Sequence, residues 1–380
     1  MSSTSGRVDL LEPPLWSVKY SPTTWDDFVG QDQAITQLLS LAESGSCPNM
    51  ILHGPYGTGK TSAALVFSRT LLGDAFASNF KLLNVRDVIG YPISKAKRDI
   101  RALAKLDRSQ RSELDEYMSV VFREVKTELK AKGRKRDPNR SQLLQGAIRL
   151  FASTVTVADE SVKVLLLDEA DALTGNMQQA LRRTMEIYSD VCRFIFTTPT
   201  LAGWSPAVIS RCITLNLPSP SSDEVVTLAS DIASKEGVDI DSAALEALAK
   251  ESSGNLRRAV NLLQIAAADG KSVTKDKVYA SSETKLARGV RQMVTLALDG
   301  SFLESRKELR RLLGIESYPP HEVCLEIQRN LVSRPFEPQV LETLIDRVAE
   351  IDHRLVQAQN PFLQITALLA SIRRIASDAT

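Results

Sequence analysis

Cysteine is scarce in this 380-residue chain, with four residues at 47, 192, 212 and 324. No Cys-x-x-Cys occurs, and the gaps fit neither a zinc cluster nor a disulfide framework. Cys192 and Cys212 adjoin apolar segments, so buried thiols in a reducing compartment are expected. Long apolar runs are missing as well. None approaches 18 residues, which excludes a helical membrane span. Residues 1–15 have no apolar stretch after a basic start, which argues against a secretion signal. Net charge is almost absent, because 47 Lys and Arg face 46 Asp and Glu and leave +1. That balance decides nothing about nucleic acid. What remains is a globular composition, 43% hydrophobic and 24% charged, in a chain long enough for two or three domains.

Apolar runs alternate with helical patterns over the first 217 residues. Strands are expected at 49–53, 80–85, 162–167, 193–198 and 213–217, and helices at 31–43, 62–72 and 177–187. Apolar strands bounded by helices imply a parallel sheet covered on both sides. Pro218-Ser-Pro-Ser-Ser222 interrupts this order and marks a boundary. Three short helices are expected at 223–235, 242–251 and 255–268. Five more follow, at 284–298, 301–313, 320–331, 337–357 and 361–376, without a sheet signal. The expected domains are therefore an α/β core over 1–217, a small helical domain over 218–283 and an all-helical domain over 284–380. The last is a stable five-helix unit or an assembly surface.

One block departs from the rest. Residues 91–140 carry 15 Lys or Arg and 8 Asp or Glu, a net of +7, whereas the remainder carries 32 and 38, a net of −6. The block separates the second strand from the third by more residues than a usual crossover needs. Leu103, Leu106, Leu114, Met118, Val121, Phe122, Val125 and Leu129 recur at helical spacing. A helical insertion with a mobile basic tip over 132–139 is expected. A solvated charge run is the plain alternative. The concentrated charge favours contact with DNA phosphates, through Arg134, Lys135, Arg136 and Arg140, or with a neighbouring subunit.

Gly54-Pro-Tyr-Gly-Thr-Gly-Lys-Thr61 matches the phosphate-binding pattern G-x4-G-K-[ST] in full and stands between a strand and a helix. In that setting successive backbone N–H groups, those of Gly57, Thr58 and Gly59 among them, face phosphates at a helix N-terminus. Lys60 reaches the outer phosphates and the Thr61 hydroxyl binds Mg²⁺ of a bound ATP. Val164-Leu-Leu-Leu-Asp168-Glu169 then delivers two carboxylates at the end of a buried strand. Asp168 suits the metal shell, and Glu169 suits the base that activates water. Phosphoryl transfer also needs positive charge on the departing phosphates. Arg211 and the pair Arg257-Arg258 are candidates, but pattern alone does not choose between them.

Several further motifs are similar to those of the small subunits of the sliding-clamp loader, the replication factor C family within the AAA+ ATPases. Trp16-Ser-Val-Lys-Tyr-Ser-Pro22 resembles the family's opening, and Asp27-Phe-Val-Gly-Gln31 follows it. Asp168-Glu-Ala-Asp-Ala-Leu173, Gln178-Gln-Ala-Leu-Arg-Arg-Thr-Met-Glu186, Ser210-Arg-Cys212, Gly254-Asn-Leu-Arg-Arg258 and Ile345-Asp-Arg-Val-Ala-Glu-Ile-Asp-His-Arg-Leu355 continue the likeness, which is strongest to archaeal small subunits. The resemblance covers 13–90 and 141–376. It implies an α/β AAA+ core with a parallel sheet, a helical lid and a helical collar, in a heteropentamer with a large subunit and other small subunits. It implies an ATPase that opens the sliding clamp (PCNA) and loads it on primer–template DNA, with no membrane involved. The location implied is cytoplasmic in an archaeal cell, or nuclear in a eukaryotic one. It implies Val18, Lys19, Tyr20, Val29 and Gly30 around adenine and ribose. Arg257 reaches the phosphates in cis, and Arg211 reaches ATP on the neighbour. Arg182 and Arg183 lie on the central helix, between nucleotide and DNA.

Four departures from the family pattern stand out. Pro199 occupies the place of a polar residue that orients the attacking water, so Thr197 or Thr198 is expected to substitute. Tyr56 replaces a proline, Ser21 replaces an arginine, and Asn84-Val-Arg-Asp-Val-Ile-Gly90 departs from the family's segment. They suggest a specialised second small subunit. The competing expectation is a mainly structural ring subunit that binds nucleotide but hardly turns it over. An unrelated helicase loader or Holliday-junction motor is disfavoured by the all-helical C-terminal region.

Overall fold

The computed structural model describes residues 15–97, 112–154, 162–268, 270, 272–356, 358 and 360–377. Expectations for residues 1–14, and for Leu103 and Leu106 in the insertion, lie outside the described residues. The described chain forms two compact units that divide between Val278 and Tyr279. The core and the expected lid fall together in the first. The division comes five residues before the expected 283/284 boundary. It falls within the short helix Lys275–Ser282, whose Val278 is fully buried.

The first unit is built on a five-stranded parallel sheet ordered β2-β3-β4-β1-β5. The strands are β1 (Met50–His53), β2 (Phe80–Asn84), β3 (Lys163–Asp168), β4 (Cys192–Thr198) and β5 (Ile213–Asn216). Side chains alternate across the pleat, so successive residues enter different cores. Val164, Leu166 and Ile195 pack with Leu38 of α1 (Asp32–Glu43) and with Ala63 and Phe67 of α2 (Lys60–Leu72). Leu165, Leu167, Phe194 and Phe196 enter the opposite core. There they join α3 (Val85–Gly90), α4 (Glu113–Ala131), α5 (Arg140–Ser153) and α6 (Gly175–Ile187). A sheet buried on both faces explains why its strands read as nearly continuous apolar runs.

The described part of the insertion belongs to that second core. Met118, Val121, Phe122, Val125 and Leu129 lie on one face of α4 and are all buried. Burying each of the larger apolar side chains contributes about 2 kcal/mol before ordering costs. Ser112 and Asp115 close a reciprocal capping box at the start of α4, and Asn139 and Gln142 do so for α5. The expected basic tip is an irregular connection over 132–139 between two capped helices. Its Asp137 receives Lys126 Nζ at 2.9 Å and pairs with Lys97 Nζ at 2.6 Å. Lys132, Arg134, Lys135 and Arg136 remain exposed on it.

The lid follows Pro218 and contains α7 (Ser222–Glu236), α8 (Ser242–Ser252) and α9 (Leu256–Ala267). Ser221 and Glu224 form its first capping box, and Asp241 and Asn255 cap the next two helices. A two-stranded ladder, Asp239–Ile240 with Ser272–Val273, was not expected from sequence. Such two-residue strands carry almost no periodicity to read.

The second unit contains five longer helices: Lys285–Leu298, Phe302–Arg310, Pro320–Val332, Pro338–Leu355 and Pro361–Ser377. Their apolar faces close one core around Met293, Ile327, Ile351 and Leu368. Leu303, Ile315, Val356 and Leu363 stay exposed on the unit's surface. No described helix is long and apolar enough to cross a membrane.

Candidate nucleotide site

Strand register brings the candidate residues together. His53 at the end of β1 stands opposite Thr198 of β4, while Asn84 of β2 stands opposite Asp168 of β3. The C-terminal edges of β1, β3 and β4 therefore open on one crevice, where open parallel sheets bind ligands. The glycine-rich loop leaves β1 and runs into α2. Lys60 is almost fully buried, and its Nζ donates to Gly54 O at 2.7 Å and Pro55 O at 2.5 Å. Burial carries its pKa down to about 8, against the opposing pull of Asp168; Arg257 adds to the lowering. Tyr56 sets its ring 5.8 Å from the same ammonium.

Thr61 Oγ1 donates to Asp168 Oδ1 at 2.8 Å. Thr197 Oγ1 donates to the same carboxylate oxygen and accepts the Glu169 N–H at 3.1 Å. Glu169 has φ 51°, a left-handed conformation rare for a side-chain-bearing residue. Such strain collects at functional sites. Its Oε2 lies 3.4 Å from Arg86 Nε, and Arg86 also holds Asp171. Arg86 was not singled out from sequence. The signal was the unusual segment 84–90, whose Asn84 caps α3 by accepting Arg86 N and Asp87 N.

Two small cavities flank the loop. One of about 90 Å³ joins Lys60, Thr61, Asp168, Glu169, Thr197, Thr198 and Pro199. Either Thr197 or Thr198 was expected to stand in for a polar residue at Pro199. The Thr198 hydroxyl is already engaged, donating to Thr200 O at 2.8 Å and accepting from Trp204 Nε1 at 3.2 Å. Adjacent strand residues face opposite sides, and the hydroxyl on the carboxylate side is that of Thr197.

The second cavity, of about 80 Å³, is walled by Tyr20, Phe28, Val29, Gly57, Thr58 and the lid residues Leu256 and Val260. Arg257 lines both cavities, whereas Arg258 turns to Glu251 at 4.0 Å. Of the other residues expected here, Val18 is exposed and outside the lining. Lys19 pairs with Glu236 at 2.9 Å, and Tyr20 donates to the same carboxylate at 2.6 Å. These bonds tie the opening segment to the lid. Gly30 has φ 68°, and a Cβ there would lie 2.6 Å from Glu224 Oε2. Phe28, Leu256 and Val260 were missed, although Leu256 and Val260 are one helical turn apart.

Gly57 has φ 78°, and an added Cβ would come within 2.0 Å of Asn255 Oδ1, the cap of α9. Gly57→Ala is therefore expected to weaken binding of a labelled ATP analogue at least fivefold, because the lid must retreat. The left-handed backbone adds about 1 kcal/mol of strain, so Tm should fall by about 2–4 °C. Unchanged affinity by equilibrium titration would refute this close packing of lid on loop.

Arg211 lies outside both cavities. Its Nε and Nη2 donate to Glu186 Oε1 at 3.1 and 2.7 Å, and its Nη1 to Ala207 O at 2.7 Å. Arg182 Nε approaches the same Glu186 oxygen at 3.7 Å. All four cysteines are free, and burial pushes the thiols of Cys47, Cys192 and Cys212 up to about 12. They remain protonated near neutrality and take no part in the site.

A parallel sheet with a phosphate loop, an acidic strand end and a helical lid defines an AAA+ ATPase. Residues 27–193 match an AAA ATPase domain, and 229–268 match an RCF1/5-like AAA+ ATPase lid domain. Residues 287–371 match the replication factor C C-terminal domain. The chain is 30% identical to the replication factor C small subunit of Methanocella arvoryzae, over 96% of its own length and 98% of that protein. It is 31% identical to that of Archaeoglobus fulgidus, over 95% and 98%. The chain belongs to the replication factor C small-subunit family, and is an ATPase subunit of the clamp loader of DNA replication. Among solved structures it is similar to the Thermotoga maritima RuvB Holliday junction branch migration motor. That match has 18% identity, covers 85% of this chain and 91% of that one, and has a TM-score of 0.46, too distant to bear on function.

Proposed function

We propose that this chain serves as one ATP-binding subunit of a heteropentameric clamp loader, with a large subunit and other small subunits, which opens a sliding clamp and sets it on primer–template DNA. The observation that carries the nucleotide chemistry is the Thr61–Asp168 hydrogen bond at 2.8 Å, beside Lys60 and under Arg257. A hydroxyl and a carboxylate are the oxygen donors that Mg²⁺ prefers. No cluster of three or more His, Cys, Asp or Glu suited to a metal occurs among the described residues. That fits an ion completed by phosphate oxygens and water rather than by a protein cage. Mg²⁺ held there supplies charge neutralisation to the phosphates.

The chain's own groups do the rest. Backbone N–H groups of Gly57, Thr58 and Gly59 cradle phosphates, and Lys60 Nζ exchanges carbonyl partners for phosphate oxygens. Arg257 contributes positive charge from the lid. Phe28, Val29, Leu256 and Val260 offer apolar walls to the base. Thr197 holds Asp168 and the Glu169 N–H, so the Glu169 carboxylate is positioned to take a proton from water. Arg211, outside the chain's own cavities, acts on the nucleotide of a neighbour. The exposed apolar residues of the collar, Leu303 and Ile315 among them, suit burial between subunits.

A mainly structural subunit is the second reading. Pro199 lacks a polar side chain, and Glu169 is engaged by Arg86. Glu169→Gln in this subunit alone separates the two readings. Single-turnover hydrolysis by the assembled complex should lose the contribution of this site by about a hundredfold or more. An unchanged rate assigns the structural role.

A further inference from the structure

A groove on another part of the first unit lies away from the nucleotide site. It measures about 770 Å³ and opens between the C-terminal end of α4, the turn after it, α5 and α6. Four cations line it: Lys132 and Arg134 from the turn, Arg149 from α5 and Arg183 from α6. Glu128 is the single carboxylate of the lining, and Arg149 Nη2 already holds it at 2.9 Å. The Nε of Arg149 is buried without a hydrogen-bond partner. Four amide side chains, among them Gln145 on α5 and Gln179 on α6, and the Thr184 hydroxyl complete the polar lining. The groove thus carries four cations against one carboxylate that is already paired, with amide donors beside them.

We infer that this groove seats a phosphodiester backbone of the primer–template DNA, so that the insertion and the central helix form one DNA surface. The inference rests on the clamp-loader reading and adds a site to it. Lysine, arginine and amide donors are the groups that contact phosphates without reading bases. The cationic character continues past the groove through the exposed Lys135 and Arg136, which suits a chain of regularly spaced phosphates better than one acidic side chain. The two central-helix arginines divide accordingly. Arg183 lines the groove, while Arg182 turns toward Glu186.

The test uses the assembled complex and primer–template DNA over a salt series. Lys132 and Arg134 are exposed, so Lys132→Glu with Arg134→Glu leaves the core intact. Affinity for primed DNA should fall about tenfold or more at low salt. The slope of log affinity against log salt should drop by about 2, irrespective of sequence. Lys132→Arg with Arg134→Lys should keep both affinity and slope. Equal affinity and slope for the charge-reversed complex overturn the groove assignment while leaving the clamp-loader reading in place. Loss of ring assembly, with DNA binding by the residual complex unchanged, overturns it too and makes the groove a seat for an acidic protein segment. If the unmodified complex binds no primed DNA, the clamp-loader reading itself falls.

Discussion

Arg211→Ala should leave ATP binding by its own subunit intact and slow hydrolysis at the neighbouring site it is proposed to serve by about a thousandfold, the usual effect of removing an arginine supplied in trans. The geometry sets both halves of that expectation. The guanidinium lies outside the chain's two nucleotide cavities, so nothing in cis contacts a phosphate through it. It is held ready at the surface by Glu186 and by Ala207 O, with its side chain 37% exposed. A partly exposed ion pair of this kind contributes at most about 1 kcal/mol, so the fold survives its loss. The measurement pairs equilibrium binding of a labelled ATP analogue to the isolated subunit with single-turnover hydrolysis by the assembled complex. Loss of cis binding without an effect on the neighbour would contradict the trans role.

Lys60→Ala should weaken ATP binding at this site by at least about a hundredfold. The ammonium is the buried cation at the centre of the glycine-rich loop. Charge-assisted hydrogen bonds from such a group are each worth about 1.5–3 kcal/mol, and a hundredfold corresponds to the upper end of that range. The fold should persist. Desolvation already penalises the charge enough to bring its pKa down to about 8, so removing it relieves one cost while forfeiting two bonds to loop carbonyls. Tm should move by no more than about 4 °C. Titration of the isolated subunit with a fluorescent ATP analogue reads the first expectation, and thermal melting reads the second. Unchanged affinity would mean that the phosphates lie elsewhere.

What the sequence determined by itself was whatever depends on contiguous residues. The glycine-rich loop is a run of eight contiguous residues that matches the phosphate-binding pattern in full, so it is read directly from composition and spacing. The buried strands were legible because a sheet covered on both faces needs unbroken apolar segments, and Asp168 and Glu169 were legible because they end one. The break after β5 at Pro218 was legible because proline and serine end helices and strands locally.

What only the tertiary structure decided was the choice between neighbours. Consecutive residues of a strand face opposite sides, and consecutive residues of a helix point about 100° apart. Sequence placed Thr197 beside Thr198 and Arg182 beside Arg183 without choosing between them, and only the family resemblance, not the local pattern, singled out Arg257 from Arg258. Packing against Trp204 engages the Thr198 hydroxyl and leaves Thr197 on Asp168. The seating of α9 on the glycine-rich loop brings Arg257 to both cavities and turns Arg258 to Glu251. The packing of the insertion beside α6 directs Arg183 into a groove whose other cations lie more than thirty positions away in the chain. Such a groove has no local signature, because the attraction of charge depends on distance in space and the chain order records only distance along the backbone.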